Sequence, residues 1–330
     1  MTRILGMGVG LPREIVGSSC LDRRLGKPTG WISNACGVFS RSVATCEETQ
    51  EHLAVIAAQM ALADAGLQPD NLDLILFGAA VGRQPIPATA PLIKDLLGIR
   101  KEQVPAYDIN ATCLSALVAM DLANLHIGAG RAKHVLVVSS EIASRALPWD
   151  DDPATAGLFG DGAGALVLGP SVEPDRLRIR DFAMETWAEG YDFCTLGAGG
   201  TRFDLKTDRL AFEQNCMFRM DGHSLFRLSR KRLPHFIQRL LERSGWTVDD
   251  IDAVVPHQAS PLALQHMIRR CGFHSDRVVN TIRDTGNLVA ASLPITLHTA
   301  REDGRIQPGS KILMIGTSAG VSVAGMTLVG

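Results

Sequence analysis

Short, wholly apolar runs alternate along this chain with longer stretches in which apolar residues recur every three or four positions. Residues 73–77 (DLILF) and 134–140 (HVLVVSS) are brief, β-branched and apolar, the pattern of strands buried on both faces. Residues 50–66 (QEHLAVIAAQMALADAG) carry apolar groups at helical spacing and stop at Gly66, a residue suited to a helix C-terminus. Residues 114–129 read as a second helix, rich in Ala and Leu. Residues 1–11 (MTRILGMGVGL) read as an opening strand rather than a leader, because Gly6, Gly8, Gly10 and Pro12 break the run and no small-residue cleavage site follows. This alternation predicts a layered α/β fold with mostly buried sheets.

The two halves of the chain echo each other. ADAGLQPDNLDLILF (63–77) aligns with ERSGWTVDDIDAVVP (242–256) at a constant offset, with Gly66 on Gly245, Asp70 on Asp249 and Asp73 on Asp252. Farther on, an elbow at Cys113 leads into a helix and then VLVV (135–138). An elbow at Asn287 leads into a helix and then ILMI (312–315). Two matched segments in the same order predict a duplicated α/β unit, with halves 1–170 and 171–330 packed as one body. The segment GPSVEPDRLRIRD (169–181) crosses between them, and Asn287 is the expected counterpart of Cys113.

Composition narrows the function classes. At 330 residues the chain is long enough for two domain-sized units, and 46% hydrophobic content supplies a large core. The balance of 33 basic against 35 acidic residues and the presence of only 2 Tyr argue against a nucleic-acid partner. Seven Cys without a C-x-x-C pair argue against a disulfide framework and a structural zinc site, and fit a reducing, cytoplasmic setting. No apolar run approaches the roughly 18–20 residues that span a bilayer. No metal or cofactor is expected.

Candidate chemistry gathers at strand ends. Cys113 lies in YDINATCLSALVAM, between a strand-like and a helix-like segment. A helix N-terminus stabilises a thiolate, and a strand-to-helix elbow exposes a nucleophile beside backbone N–H groups suited to an oxyanion. His257 follows the strand IDAVVP, where active sites of open α/β sheets lie. If the halves pack about a pseudo-dyad, Cys113, His257 and Asn287 meet at one end of the sheets. The Gly-rich stretches 158–169 and 316–325 fit neither dinucleotide nor P-loop patterns, and read as close backbone packing.

With DINATC, LFGDGAGALVL, VPHQAS, DTGNLVAASLP and DGRIQPGSKILMIGTSAG in view, the chain resembles the β-ketoacyl-acyl-carrier-protein synthase III family over nearly its whole length. The resemblance implies a thiolase-like fold of duplicated α/β units in an α-β-α-β-α stack, and a homodimer. It implies that Cys113 takes an acyl group from acyl-CoA and that a malonyl thioester on acyl carrier protein loses CO2. His257 and Asn287 then stabilise the enolate, and the N–H groups of Cys113 and Ala319 form the oxyanion hole. Trp31, Ile86, Arg145, Met220 and Thr317 match substrate-binding positions, Ile86 reaching the neighbouring subunit's acyl pocket. Arg227, Arg230, Lys231, Arg232, Arg269 and Arg270 are expected to form a basic patch for an acidic carrier protein. Two family arginines are absent, replaced by Ala35 and Leu262, and the terminal Gly-rich motif is altered to TSAG. Decarboxylative condensation is the leading expectation. Acyl transfer from Cys113 to an alcohol or amine is the alternative, and a non-catalytic partner subunit the third reading.

Overall fold

A computed structural model describes residues 1–170, 173 and 176–330. Positions 171, 172, 174 and 175 of the expected crossing segment lie outside the described residues. The strands are β1 (Thr2–Gly10), β2 (Glu14–Gly17), β3 (Ser40–Val43), β4 (Leu74–Gly78), β5 (Ala106–Ile109), β6 (Val135–Ile142) and β7 (Asp161–Pro170). They continue as β8 (Arg178–Thr186), β9 (Cys194–Thr195), β10 (Arg219–Met220), β11 (Ala253–Pro256), β12 (Lys311–Ser318) and β13 (Ser322–Val329). The opening strand, the buried runs at β4 and β6, and the helices Gln50–Asp64 and Ser115–Gly128 all form where the hydrophobic pattern places them.

Nine strands join in the order β11-β12-β13-β8-β1-β7-β6-β4-β5. One plan is used twice. Outward from the seam the first half runs β1-β7-β6-β4-β5, and the second runs β8-β13-β12-β11 with a bridge from Val254 to Val278 where the first half has β5. β7 lies antiparallel between β1 and β6, and β13 lies antiparallel between β8 and β12. At the seam, Arg3 faces Arg178, and the Ile4 N–H donates to the Leu177 carbonyl at 2.8 Å.

Period-two alternation sorts the side chains into layers. Leu74, Leu76, Val135 and Val137 meet the central helices Ser115–Gly128 and Ser292–Glu302. Those helices meet Ala253, Val255, Ile312 and Met314 of the second half on their far side. Ile75, Phe77, Leu136 and Val138 face outward onto the Gln50–Asp64 helix. Val254, Leu313 and Ile315 face outward onto the Gly222–Ser244 and Pro261–Cys271 helices. The result is the α-β-α-β-α stack. β1 passes hard against the Gln50–Asp64 helix: a Cβ at Gly6, Gly8 or Gly10 would stand 2.2, 2.2 or 2.3 Å from a helix carbonyl oxygen.

The echo between halves extends to local geometry. Gly66 and Gly245 take φ of 64° and 68°, and each is followed by a 3-10 turn with a capping box, Pro69–Asn71 and Val248–Asp250. At the elbows, Asn110 Oδ1 accepts the Thr112 N–H at 2.9 Å and Ser115 Oγ accepts the Ala111 N–H at 2.9 Å. In the second half Asn287 Oδ1 accepts the Val289 N–H at 2.8 Å and Ser292 Oγ accepts the Leu288 N–H at 3.1 Å. Thr112 and Val289 both adopt left-handed φ, 52° and 50°. Asn287 therefore corresponds to Asn110, and the counterpart of Cys113 is Ala290. This corrects the expected pairing of Asn287 with Cys113. The turns' own hydrogen bonds set the register, three residues away from what the order of segments suggests. Among the described residues no helix is long and apolar enough to cross a membrane.

Candidate active site

Cys113 occupies the 3-10 turn Thr112–Leu114 that opens the Ser115–Gly128 helix. The Asn110 and Ser115 side chains tie down the turn's N–H groups, and Ser115 Oγ also donates to the Thr112 carbonyl at 2.6 Å. The residue is half-buried, and the N–H groups of Cys113 itself and of Ala319 lie near enough to the sulfur to favour its charged form. Those are the two amides expected to form an oxyanion hole. Ala319 follows β12, and its carbonyl accepts a bond from Thr112 Oγ1 at 3.4 Å. The strand end of one half thus touches the elbow of the other.

His257 emerges at the end of β11, its N–H bonded to the Ile315 carbonyl at 2.8 Å. It is buried, and its ring Nδ1 has no hydrogen-bond partner among the described residues. Gly316 makes room for it: a Cβ there would lie 2.8 Å from His257 Cβ and 3.0 Å from Leu114 Cδ2. That shared contact brings His257 beside the residue that follows Cys113. Gln258 locks the segment, donating to the Pro256 and Val279 carbonyls and accepting the Thr281 and Ile282 N–H groups at 3.0–3.1 Å. Asn287, also buried, is held by backbone bonds to Leu158 at 2.7 Å and Gly160 at 3.2 Å. Its Nδ2 donates to the Ala259 carbonyl at 3.3 Å, two residues from His257.

Burial sets the charge states. It lowers His257 to a pKa of about 4, so the imidazole is neutral at neutral pH. Burial pushes the Cys113 thiol up to about 12, helped by the Glu141 carboxylate and Cys194 and opposed by the two N–H groups on the sulfur. The resting nucleophile is a thiol. Glu141, at the end of β6, is itself buried and raised to about 8 by desolvation. Sequence reasoning missed it. The available signal was a lone carboxylate closing the apolar run VLVVSSE at a strand's C-terminal end.

A cavity of about 510 Å³ runs from His257, Gly316 and Thr317 between the Gly222–Ser244 and Pro261–Cys271 helices. Met220, Leu225, Phe226 and Met267 give it apolar walls, and Arg230 and Arg270 line it too. Of the expected substrate residues, Met220 and Thr317 line this cavity. Trp31 does not, but it shares an apolar cluster with Met220, under Lys27 at 5.2 Å from its ring. Arg145 is exposed beyond β6, its guanidinium 3.4 Å from the Glu48 carbonyl. Ile86 is 87% exposed on the loop after β4 and touches no part of the cavity. Arg230, Arg269 and Arg270 surround His266, whose pKa is lowered by burial and then by these three charges. Arg227 and Lys231 flank a separate small hollow with Phe193 and Leu228. Arg232 lines the same hollow, ion-paired with Glu189 and over the Trp187 ring at 5.4 Å.

Comparison with known proteins accounts for this arrangement. Residues 107–188 match the family model described as 3-oxoacyl-[acyl-carrier-protein] synthase III, and residues 241–329 match the model of its C-terminal part. The β-ketoacyl-[acyl-carrier-protein] synthase III of Methylococcus capsulatus is 33% identical over 313 residues, 95% of this chain and 94% of that one. The 3-oxopimeloyl-[acyl-carrier-protein] synthase of Rhodothermus marinus is 34% identical over 327 residues, 98% of this chain and 92% of that one. The crystal structure of 3-oxoacyl-[acyl-carrier-protein] synthase III from Aquifex aeolicus superposes with a TM-score of 0.88 at 30% identity, covering 100% of both chains. The chain belongs to the β-ketoacyl-acyl-carrier-protein synthase III family.

Proposed function

We propose that this protein is a condensing acyltransferase that joins an acyl-CoA to malonyl-acyl-carrier-protein. The Cys113 sulfur attacks the acyl thioester carbonyl, its proton leaves with the departing CoA thiolate, and an acyl-Cys113 thioester remains. The malonyl thioester then loses CO2, and the electron pair of the broken C–C bond forms an enolate. Neutral His257 and the Asn287 amide hydrogen-bond the enolate oxygen. The enolate carbon attacks the acyl-enzyme carbonyl, whose oxygen gains charge between the N–H groups of Cys113 and Ala319. Collapse expels Cys113 and yields a 3-oxoacyl product. No resident cofactor or metal enters these steps.

The observation that carries this reading is the pair of amides from opposite halves on the Cys113 sulfur, next to an uncharged His257. The cavity between the two outer helices fits the arm of a thioester substrate. Arg230 and Arg270 at that cavity, with Arg269 near His266, offer an anionic carrier protein its docking charge, with Arg227 and Lys231 on adjacent turns. Trp31 and Arg145 belong to the CoA entrance in this reading. We assign the enzyme to the cytoplasm as a homodimer, in which the exposed Ile86 closes the partner's acyl pocket. Acyl transfer to an alcohol or amine is the second reading, supported by Ala35 and Leu262 standing where the family has arginines.

Intact-mass spectrometry after a panel of acyl-CoAs, followed by malonyl carrier protein, tests the proposal. An adduct on Cys113 that discharges with release of CO2 is expected. An adduct that persists until an alcohol or amine is added favours the second reading. Cys113→Ala abolishes the adduct, whereas His257→Ala or Asn287→Ala acylates and then stalls, with condensation slowed on the order of 10²–10³-fold. Acylation of Cys113→Ala at another cysteine contradicts the assignment.

A further inference from the structure

Glu141 lies 3% exposed at the end of β6, and among the described residues no cation pairs with it. Backbone N–H groups meet it instead. Glu141 Oε1 accepts the Ala80 N–H at 2.6 Å, the Val289–Ala291 turn packs against β6, and the N–H groups of Val81 and Ala290 lie near enough to the carboxyl group to favour its ionised form. Ala80 and Val81 follow β4 in the first half. Ala290 lies in the 3-10 turn Val289–Ala291, three residues after Asn287 in the second half, and that turn opens the Ser292–Glu302 helix. A carboxyl oxygen suits such a helix start, where N–H groups lack internal partners.

The register between the halves gives this contact a meaning. Glu141 occupies in β6 the place that Ser318 occupies in β12, and Ala290 is the counterpart of Cys113. At the first elbow, the N–H groups of Cys113 and of Ala319, just past β12, meet on the nucleophile. At the second elbow, the carboxyl group at the end of β6 sits on the N–H of Ala290. Each half thus holds the other's elbow. The second elbow's hold is a buried carboxyl group, and its turn leads from Asn287, whose Oδ1 is spent on the Val289 N–H at 2.8 Å. Any drift of that turn moves the Asn287 amide.

We propose that Glu141 is a positioning residue for Asn287: by binding the Ala80 and Ala290 N–H groups it fixes the Asn287 turn against the half that bears Cys113. This rests on the enolate role assigned to Asn287 above. When ionised, Glu141 also disfavours a Cys113 thiolate, so its removal is not expected to slow the reactions of Cys113 itself.

Two half-reactions and one exchange measurement test it, on Glu141→Gln and Glu141→Ala in the full chain. Release of labelled CO2 from malonyl-loaded acyl carrier protein is expected to fall about 10-fold in Glu141→Gln and about 10²-fold in Glu141→Ala. Alkylation of Cys113 by iodoacetamide, read by intact mass, holds or quickens by about threefold. On an Asn287→Ala background, Glu141→Ala costs less than about twofold further, because both act on one step. Amide hydrogen exchange of segment 286–292 speeds about 10-fold in Glu141→Ala, while segment 110–116 keeps its rate. Additive losses in the double variant, a parallel fall in alkylation and CO2 release, or unchanged exchange at 286–292 each overturn the proposal. A wild type that releases no CO2 refutes the condensation reading instead, and the exchange arm then decides the anchoring by itself.

Discussion

Burial holds His257 neutral, and that state has a measurable pH signature. Its pKa is about 4 in the fold against an ordinary 6.5, so between those values the unfolded chain binds a proton that the native site refuses. The stabilisation is present above pH 6.5 and is lost as pH falls toward 4, by roughly 3 kcal/mol over the span. Urea unfolding at pH 7 and pH 4.5 is expected to show this loss in the wild type and a smaller one in His257→Asn. Gly316→Ala is a second case, since its Cβ would crowd both His257 and Leu114. We expect a loss of about 1–3 kcal/mol in urea unfolding and an impaired decarboxylation step. At this scale Cys113, His257 and Asn287 were legible as candidates, because each stands inside its own motif, Cys113 and His257 after strands and Asn287 after the short helix Ile282–Thr285. Glu141 was not, because its partners are backbone amides from two remote turns and no charge of opposite sign marks it in the sequence.

Between elements, the bonds of Gln258 join the end of β11 to the 279–282 segment that leads to Asn287. Gln258 is 1% exposed, so Gln258→Ala leaves two carbonyls and two N–H groups unpaired without water. That is expected to cost about 2–4 kcal/mol in urea unfolding, and to slow CO2 release more than acylation. The elements themselves were readable from hydrophobic period alone, from the opening strand to the helix after Cys113. Their exact correspondence was not. Equal order of strand, elbow and helix suggests Cys113 on Asn287, but the Asn and Ser side chains that close each turn move the match to Ala290. Side-chain to backbone bonds of this kind leave no periodic trace.

Over the whole molecule, the two halves of one nine-stranded sheet share one helical layer, and the first strand is pressed onto its outer helix. Glycines there differ sharply in what they tolerate. Gly8→Ala drives a methyl group against the Ala57 carbonyl at 2.2 Å, and is expected to destabilise by 3 kcal/mol or more, on the order of a severe core overpacking. Gly66→Ala meets nothing within 4 Å and pays only for its left-handed φ of 64°, about 1 kcal/mol in urea unfolding. The layered stack was legible in the duplicated pattern. The cavity was not, because its walls come from Met220, two outer helices and residues 316–317 of β12, segments brought together only by folding.

The twofold plan also supplies an internal control for nucleophile design. Ala290 is fully buried, in a turn with the same left-handed entry, the same Asn and Ser clasps and a helix behind it. A thiol placed there by Ala290→Cys would share nearly every local feature of Cys113 while facing the Glu141 carboxyl group rather than substrate space. Comparing the alkylation of the two thiols within one molecule would separate what access contributes to reactivity from what the turn contributes.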